Sequence, residues 1–422
     1  MMKKKTVSVS LASAMALASL LGGISVNAAE DTGITLEWQQ WWAVECPEGY
    51  VQAICDRYYE ETGVKVELLS APFADTKTAI VSGATTGTVA DIVSVDGSWV
   101  YDFADQGILT NISTLLEEDG FDQSVFMSQW EAMGSTYALP VINFPYPMFV
   151  NLDILEACGI EEVPKTWTEF EEACKIITEN GYYAYAINLD SSSPSGIQNV
   201  WSGFAWASDI TMLDEEGNYV IAGNEELAEY SEYMKGLYDA GYIYPGMSSL
   251  TETDMTSKFA SGELAFIINS AAVLTSFREE APDLNIGVCA IPVKDDFDGT
   301  IRNCTANWAL GITENSEHKE EALKFIEYLF NADINADLAV TQSAVPGSTL
   351  AEPDYSDGDP LFPEIYEMYM AGTPYNEFTG MKAANEFMPE YIDEVVTYMD
   401  GDTDTETFLQ NVQDIRNELD AE

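Results

Sequence analysis

The sequence predicts an α/β protein organised as two lobes, and three observations lead there. Residues 34–38 and 64–68 read as strands, and the amphipathic stretch 49–62 between them reads as a helix stopped by Gly63. Strand, helix and strand at this spacing make a parallel βαβ unit, because a parallel return needs a crossover of that length. Residues 29–422 are more than one ordinary core organises and suit two.

The elements follow in order. Residues 91–95 read as a buried strand, and 98–106 as a helix stopped by Gly107. Residues 137–141 open a long extended passage ending at Asn151-Leu152-Asp153, in which Pro145 and Pro147 exclude a helix. Thr166-Trp167-Thr168-Glu169 has the capping-box pattern, and the helix behind it carries Phe170, Ala173, Cys174 and Ile177 on one face. Residues 181–187 read as a strand and 214–218 as a tight turn. A helix covers 225–240, ended by Gly241, and another covers 319–330 with Ala322, Phe325, Ile326 and Leu329 as its apolar stripe. The tail from Asn385 is helical, interrupted at Asp400-Gly401-Asp402.

Lys3, Lys4 and Lys5, a mostly apolar run over 7–21, and Val26-Asn27-Ala28 have the layout of a signal peptide cleaved after Ala28. The apolar run is short and broken by Ser10, Ser13 and Ser19, which argues against a retained anchor. With no cysteine near the cleavage site to take a lipid, the protein is expected outside the cytoplasm, periplasmic or secreted, without a lipoprotein anchor. A content of 46% hydrophobic and 12% aromatic residues excludes disorder as the bulk state. The net charge of −55 becomes more negative once the leader lysines are gone. Such a field repels nucleic acid and phosphorylated ligands, tolerates neutral ligands and attracts cations; its simplest role is solubility.

The cysteines are Cys46, Cys55, Cys158, Cys174, Cys289 and Cys304. An even number in an exported chain permits disulfides, and sequence neighbours suggest 46–55, 158–174 and 289–304, although connectivity does not follow from sequence. One histidine, His318, and no C-x-x-C argue against zinc and against His-dependent nucleophilic catalysis. Asp400-Gly401-Asp402-Thr403-Asp404 lacks the glycine and terminal glutamate of a calcium loop and reads as a surface turn.

Phe259-Ala260-Ser261-Gly262-Glu263-Leu264-Ala265-Phe266-Ile267-Ile268-Asn269, followed by Ala281-Pro282-Asp283-Leu284-Asn285-Ile286-Gly287-Val288 and Pro292, resembles the central signature of family 1 extracellular solute-binding proteins, the maltose-binding-like receptors of ABC importers. Further landmarks agree in order: Glu61-Thr62-Gly63-Val64-Lys65-Val66; Asp91-Ile92-Val93-Ser94-Val95-Asp96 with Gly107-Ile108-Leu109; Tyr137-Ala138-Leu139-Pro140 with Asn151-Leu152-Asp153; and Pro164-Lys165-Thr166-Trp167. Trp308-Ala309-Leu310-Gly311-Ile312 and Ala344-Val345-Pro346-Gly347 complete them. The resemblance implies a two-lobed periplasmic-binding-protein fold of type II-like topology, with three hinge crossovers and a central ligand cleft. It places the crossovers near 143–146, 269–270 and 313–315, so that lobe one comprises 29–144 and 270–313 and lobe two 145–269 and 314–422.

A sugar presents an apolar face and a belt of hydroxyls, so its site needs rings to stack on and polar side chains to meet the hydroxyls. Trp41 and Trp42 stand at the end of the first strand, where family members commonly contact ligand. Asp96, Ser98 and Trp99 follow the third strand, at the edge where open α/β sheets bind ligands; Asp96 either accepts ligand hydroxyls or caps the helix behind it. Phe144 and Tyr146 lie on the first crossover and Asn269 on the second. Trp201 and Trp206, in one helical stretch, can divide between core and cleft, and Trp308 matches a family position that lines the cleft. The strand end at Asn269 lacks the tryptophan many members carry nearby, which implies a different ligand length or orientation. The resemblance thus implies a monomeric protein that captures a neutral mono- or oligosaccharide and delivers it to ABC permease subunits, without cofactor, metal, nucleic acid or turnover. A receptor for a polyamine or other cationic solute is the alternative that the charge suggests. An extracellular carbohydrate-active enzyme comes third, since paired carboxylates are available but no glycosidase motif accompanies them.

Overall fold

The computed structural model describes residues 29–191, 194–214 and 216–421. The expected leader lies outside the described residues, as does Glu215 of the expected turn. β1 (Thr35–Gln40) pairs in parallel with β2 (Lys65–Ser70) and β3 (Ile92–Val95). The helix Tyr50–Thr62 makes the expected crossover and ends at Gly63 with φ 74°. A Cβ there would sit 2.0 Å from the Glu30 carbonyl oxygen, so both backbone hand and space demand glycine.

β4 (Trp130–Ala132) and β5 (Ser135–Pro145) are antiparallel neighbours, and β6 (Met148–Asn151) follows β5 after Tyr146 and Pro147. β7 (Tyr183–Tyr185) is shorter than the expected strand and pairs in parallel with β8 (Leu264–Ile268). β9 (Ile286–Cys289), β10 (Arg302–Ile312), β11 (Val345–Pro346) and β12 (Thr373–Tyr375) complete the strands. One sheet has the order β11-β5-β10-β3-β1-β2, with β4 on β5 and β12 on β10; the other has the order β7-β8-β6-β9.

Two hydrophobic cores make the two lobes, the larger sheet lying mostly in the first, with the start of β10 and β12 reaching the second, and the smaller sheet lying in the second. The first gathers Leu36, Trp38, Val93, Leu139, Leu310 and Phe325; the second gathers Phe149, Phe170, Phe204, Phe266, Phe387 and Phe408. Burial of each such side chain contributes roughly 1.5–3 kcal/mol before conformational entropy is counted.

The packing departs from the expected division of the chain in two segments. After β8 the chain stays in lobe two: Phe277 of the helix Leu274–Glu280 packs on Phe149 and Phe259 at ring distances of 5.5 and 5.1 Å, and β9 pairs with β6. The second crossing is made by β10 instead, with Cys304 in the second core and Trp308 in the first. The helices Lys319–Leu329 and Ala332–Thr341 then pack in lobe one, where Phe325 meets Trp38 at 5.6 Å. The third crossing follows β11, and Tyr355 and the C-terminal helices belong to lobe two. The first crossing runs between β5 and β6, through Tyr146 and Pro147.

Two local details differ as well. In place of one helix from Ser98, a 3₁₀ turn Gly97–Trp99 precedes the helix Val100–Asp105. At the capping box, Thr166 accepts from the Glu169 amide at 3.4 Å, but the Glu169 carboxylate accepts from the Lys165 amide at 2.8 Å. The suggested disulfides are absent: Cys46, Cys55, Cys158, Cys174, Cys289 and Cys304 are all free. Cys174 is buried on the core face of the helix Trp167–Glu179, whereas Cys158 ends the helix Leu152–Cys158 near the surface. Burial pushes the thiols of Cys46, Cys55 and Cys289 up to about 12, which keeps them protonated and unreactive at neutral pH.

Candidate ligand cleft

A cleft of about 610 Å³ opens between the lobes, with walls from Trp41, Asp96, Trp99, Phe144 and Trp308 on one side and Gln198, Asn199, Glu252, Asn376 and Met388 on the other. Its position follows from topology. Trp41 follows β1 and Asp96 follows β3, so both stand at the carboxyl ends of parallel strands, where helix-flanked sheets leave a crevice.

Rings form two groups. Trp41 meets Phe73 edge-on at 5.1 Å and Trp99 at 6.0 Å, while Phe73 and Trp99 stack at 5.3 Å. Phe73 begins the helix Phe73–Thr86 and is 43% exposed, the accessible ring of this group. Lys77, one turn on, sits 5.9 Å above the Trp99 ring. In the second group Trp308 meets Phe144 edge-on at 5.4 Å and stacks on Trp42 at 5.0 Å with an interplanar angle of 17°.

Polar groups are held just as closely. Asp96 Oδ1 accepts from the Ser98 amide at 2.9 Å and from Ser98 Oγ at 2.6 Å, so Asp96 caps the 3₁₀ turn and also lines the cleft. Asn307 Nδ2 donates to Asn143 Oδ1, and Asn143 Nδ2 donates to the Pro346 carbonyl at 3.0 Å. This relay occupies the Asn307 amide nitrogen and leaves its oxygen as an acceptor. The Cys304 thiol donates to Asn199 Oδ1 at 3.5 Å, which leaves the Asn199 amide nitrogen as a donor. Gln198 and Asn199 come from a six-residue π-helix, Gly196–Trp201, a form that concentrates at functional sites. Burial, then the charges of Glu252 and Asp96 among others, raises the Tyr146 hydroxyl well above its usual range, so it remains a donor.

Of the residues singled out in the sequence, Trp41, Asp96, Ser98, Trp99, Phe144, Tyr146 and Trp308 line this cleft. Four do not. Trp42 lies behind Trp308, 1% exposed, because the helix Trp42–Glu45 turns it away from Trp41. Trp201 is in the second core, donating to Tyr391 Oη at 3.0 Å, and Trp206 is fully buried, donating to Glu377 at 3.0 Å. Asn269 closes a strand end locally: it donates to Thr256 Oγ1 at 2.8 Å and accepts from the Ser270 amide at 2.7 Å. Conversely, Phe73, Lys77, Trp130, Asn307, Asn376, Thr379 and Asn385 were missed. Phe73, an aromatic at an exposed helix start, carried a signal; Asn376, Thr379 and Asn385 reach the cleft only through tertiary folding.

A family model described as bacterial extracellular solute-binding protein matches residues 45–336. The chain belongs to that family. Among its relatives, a putative binding protein of Brucella abortus (strain 2308) is 26% identical over 68% of this chain and 69% of its own length. The multiple sugar-binding protein of Streptococcus mutans (serotype c, strain ATCC 700610 / UA159) is 20% identical over 65% of this chain and 66% of its own. The crystal structure of the cyclic α-maltosyl-1,6-maltose binding protein from Arthrobacter globiformis superposes with a TM-score of 0.76 at 17% identity, covering 92% of this chain and 98% of that one. That likeness places this solute-binding protein among the two-lobed folds. No helix among the described residues is long and apolar enough to cross a membrane, and no cluster of His, Cys, Asp or Glu among them is arranged to hold a metal ion.

Proposed function

We propose that this protein captures a neutral mono- or oligosaccharide in the interlobe cleft, closes on it by rotation about the three crossings, and hands it unchanged to an ABC permease. The observation that carries the reading is the wall of the cleft: Phe73 supplies accessible ring surface, backed by the lining rings Trp41, Trp99 and Trp308, while Asp96, Asn199 and Asn307 hold hydrogen-bonding capacity at fixed positions. Rings take the apolar face of a pyranose and the fixed donors and acceptors take its hydroxyls. The sugar-binding name of the Streptococcus mutans relative is consistent with this chemistry. Glu45, Asp96 and Glu252 against Lys77 leave the described lining acidic, which disfavours phosphorylated and other anionic solutes.

A thermal-shift screen of the mature protein across neutral sugars, with polyamines as the competing arm, tests this. A binder at a hundredfold excess over its Kd stabilises the fold by about 2.7 kcal/mol. The expected hit is a neutral sugar, recovered chemically unchanged, whose affinity is insensitive to salt. A polyamine hit that weakens steeply with salt would replace the reading with a cationic-solute receptor. Steady product formation would make the protein an enzyme. Export with removal of residues 1–28 is part of the proposal, so mass spectrometry of the native protein is expected to find Ala29 at the N-terminus without an acyl group.

A further inference from the structure

The segment 376–385 belongs to lobe two: Phe378, Met381 and Ala384 are buried in the second core, and Glu377 accepts there from Trp206 Nε1 and from the Met212 amide, both at 3.0 Å. Yet its other face is bonded to lobe one. The Gly380 amide donates to the Gly97 carbonyl at 3.1 Å, the Ala383 amide donates to Asp102 Oδ1 at 3.0 Å, and Asn385 Nδ2 donates to the Ser98 carbonyl at 3.0 Å. Two glycines permit the approach. A Cβ on Gly97 would lie 2.5 Å from Thr379 Oγ1, and one on Gly380 would lie 2.4 Å from the Glu131 carbonyl oxygen.

We propose that residues 376–385 are a strap that latches lobe two onto the start of the helix Val100–Asp105 in lobe one, and that Asp102 and Asn385 are positioning residues for solute capture. The same strap brings Asn376, Thr379 and Asn385 to the cleft wall, so the element that holds the lobes together also presents part of the recognition surface. Each latch bond joins a residue of one lobe to a residue of the other. It therefore biases the molecule toward the arrangement in which both walls of the cleft are present, and a solute need supply only the remaining bias. The consequence for affinity rests on the proposal that solute enters this cleft; the latch itself does not.

The experiment is native-state hydrogen exchange of the mature chain, read at single amides and without any ligand, together with small-angle scattering. In the wild type the amides of Gly380 and Ala383 are expected to be protected. Asp102→Ala should speed exchange at both by about tenfold, the scale of one lost hydrogen bond acting on a cooperative contact. It should also raise the radius of gyration while amides in β1 and β8 keep their rates. Asp102→Asn, which retains an Oδ1 acceptor, should restore protection, and Asn385→Ala should reproduce the Asp102→Ala result should that variant fold poorly. Loop-like exchange at Gly380 and Ala383 in the wild type would overturn the latch. So would acceleration confined to Ala383 with unchanged scattering, or equal acceleration of every amide. A protein that binds no sugar but shows the protected amides loses the sugar reading and keeps the strap.

Discussion

Trp42 and Trp308 are stacked rings of the first core, and of the two only Trp308 also lines the cleft. Trp308 lines the cleft, so Trp308→Ala is expected to cost about 1–3 kcal/mol of sugar affinity. Trp42 is enclosed by Trp38 and Trp308, and Trp42→Ala is expected to cost roughly 3–5 kcal/mol of fold stability through the cavity it leaves. Trp308 is itself only 5% exposed, so Trp308→Ala should lose stability too; ligand titration on the folded variants separates the two, and equal losses of affinity would refute the distinction. Phe73→Ala should weaken sugar binding with little change in stability, since so much of that ring is already in solvent. Composition alone cannot sort such rings. A tryptophan suits core and sugar platform equally, and consecutive residues at a helix start point in different directions. That is why the sequence does not separate Trp41, which lines the cleft, from Trp42, Trp201 and Trp206, which do not.

At the scale of elements, the strands and helices were legible because their hydrophobic periods and stop signals are local. Gly63 ends its helix and residues 400–401 interrupt the two C-terminal helices, Ala384–Met399 and Thr405–Ala421, as their residue types require. The strap was not legible, since its anchor is a long-range one. Glu377 is buried, and burial pushes its carboxyl from 4.5 up to about 7, with Trp206 and the Met212 amide opposing. The folded state thus holds the proton more tightly than the unfolded chain. The stability Glu377 contributes is fully present below about 4.5 and is lost as pH rises through about 7, at about 1.4 kcal/mol for each unit of difference. Melting curves between pH 4.5 and 8 should therefore fall less steeply in Glu377→Gln than in the wild type, and parallel curves would contradict the assignment.

For the whole molecule, a net charge of −55 means that the folded state works against its own repulsion. Raising ionic strength from a few millimolar shortens the screening length to about 10 Å at 0.1 M and should raise the melting temperature, whereas a fall would indicate that attractive pairs dominate. The described ion pairs are mostly at the surface, such as Arg57 with Glu61 at 2.9 Å, and add little to stability. The two lobes are joined by β5–β6, β10 and the passage after β11, so the proposed closure would be absorbed there.

The sequence by itself determined the α/β class, the order of the elements and the family, because each of these is written in local periodicity, in prolines and glycines, or in motifs of a few residues. Tertiary structure alone decided where the chain crosses between the lobes, which tryptophans face the cleft, that the cysteines are free, and that residues near 380 reach the residues after β3. The reason is that an apolar segment such as 271–277 satisfies the hydrophobic requirement equally well in either lobe. The choice between them is made by which buried neighbours it finds, and those neighbours are distant in sequence.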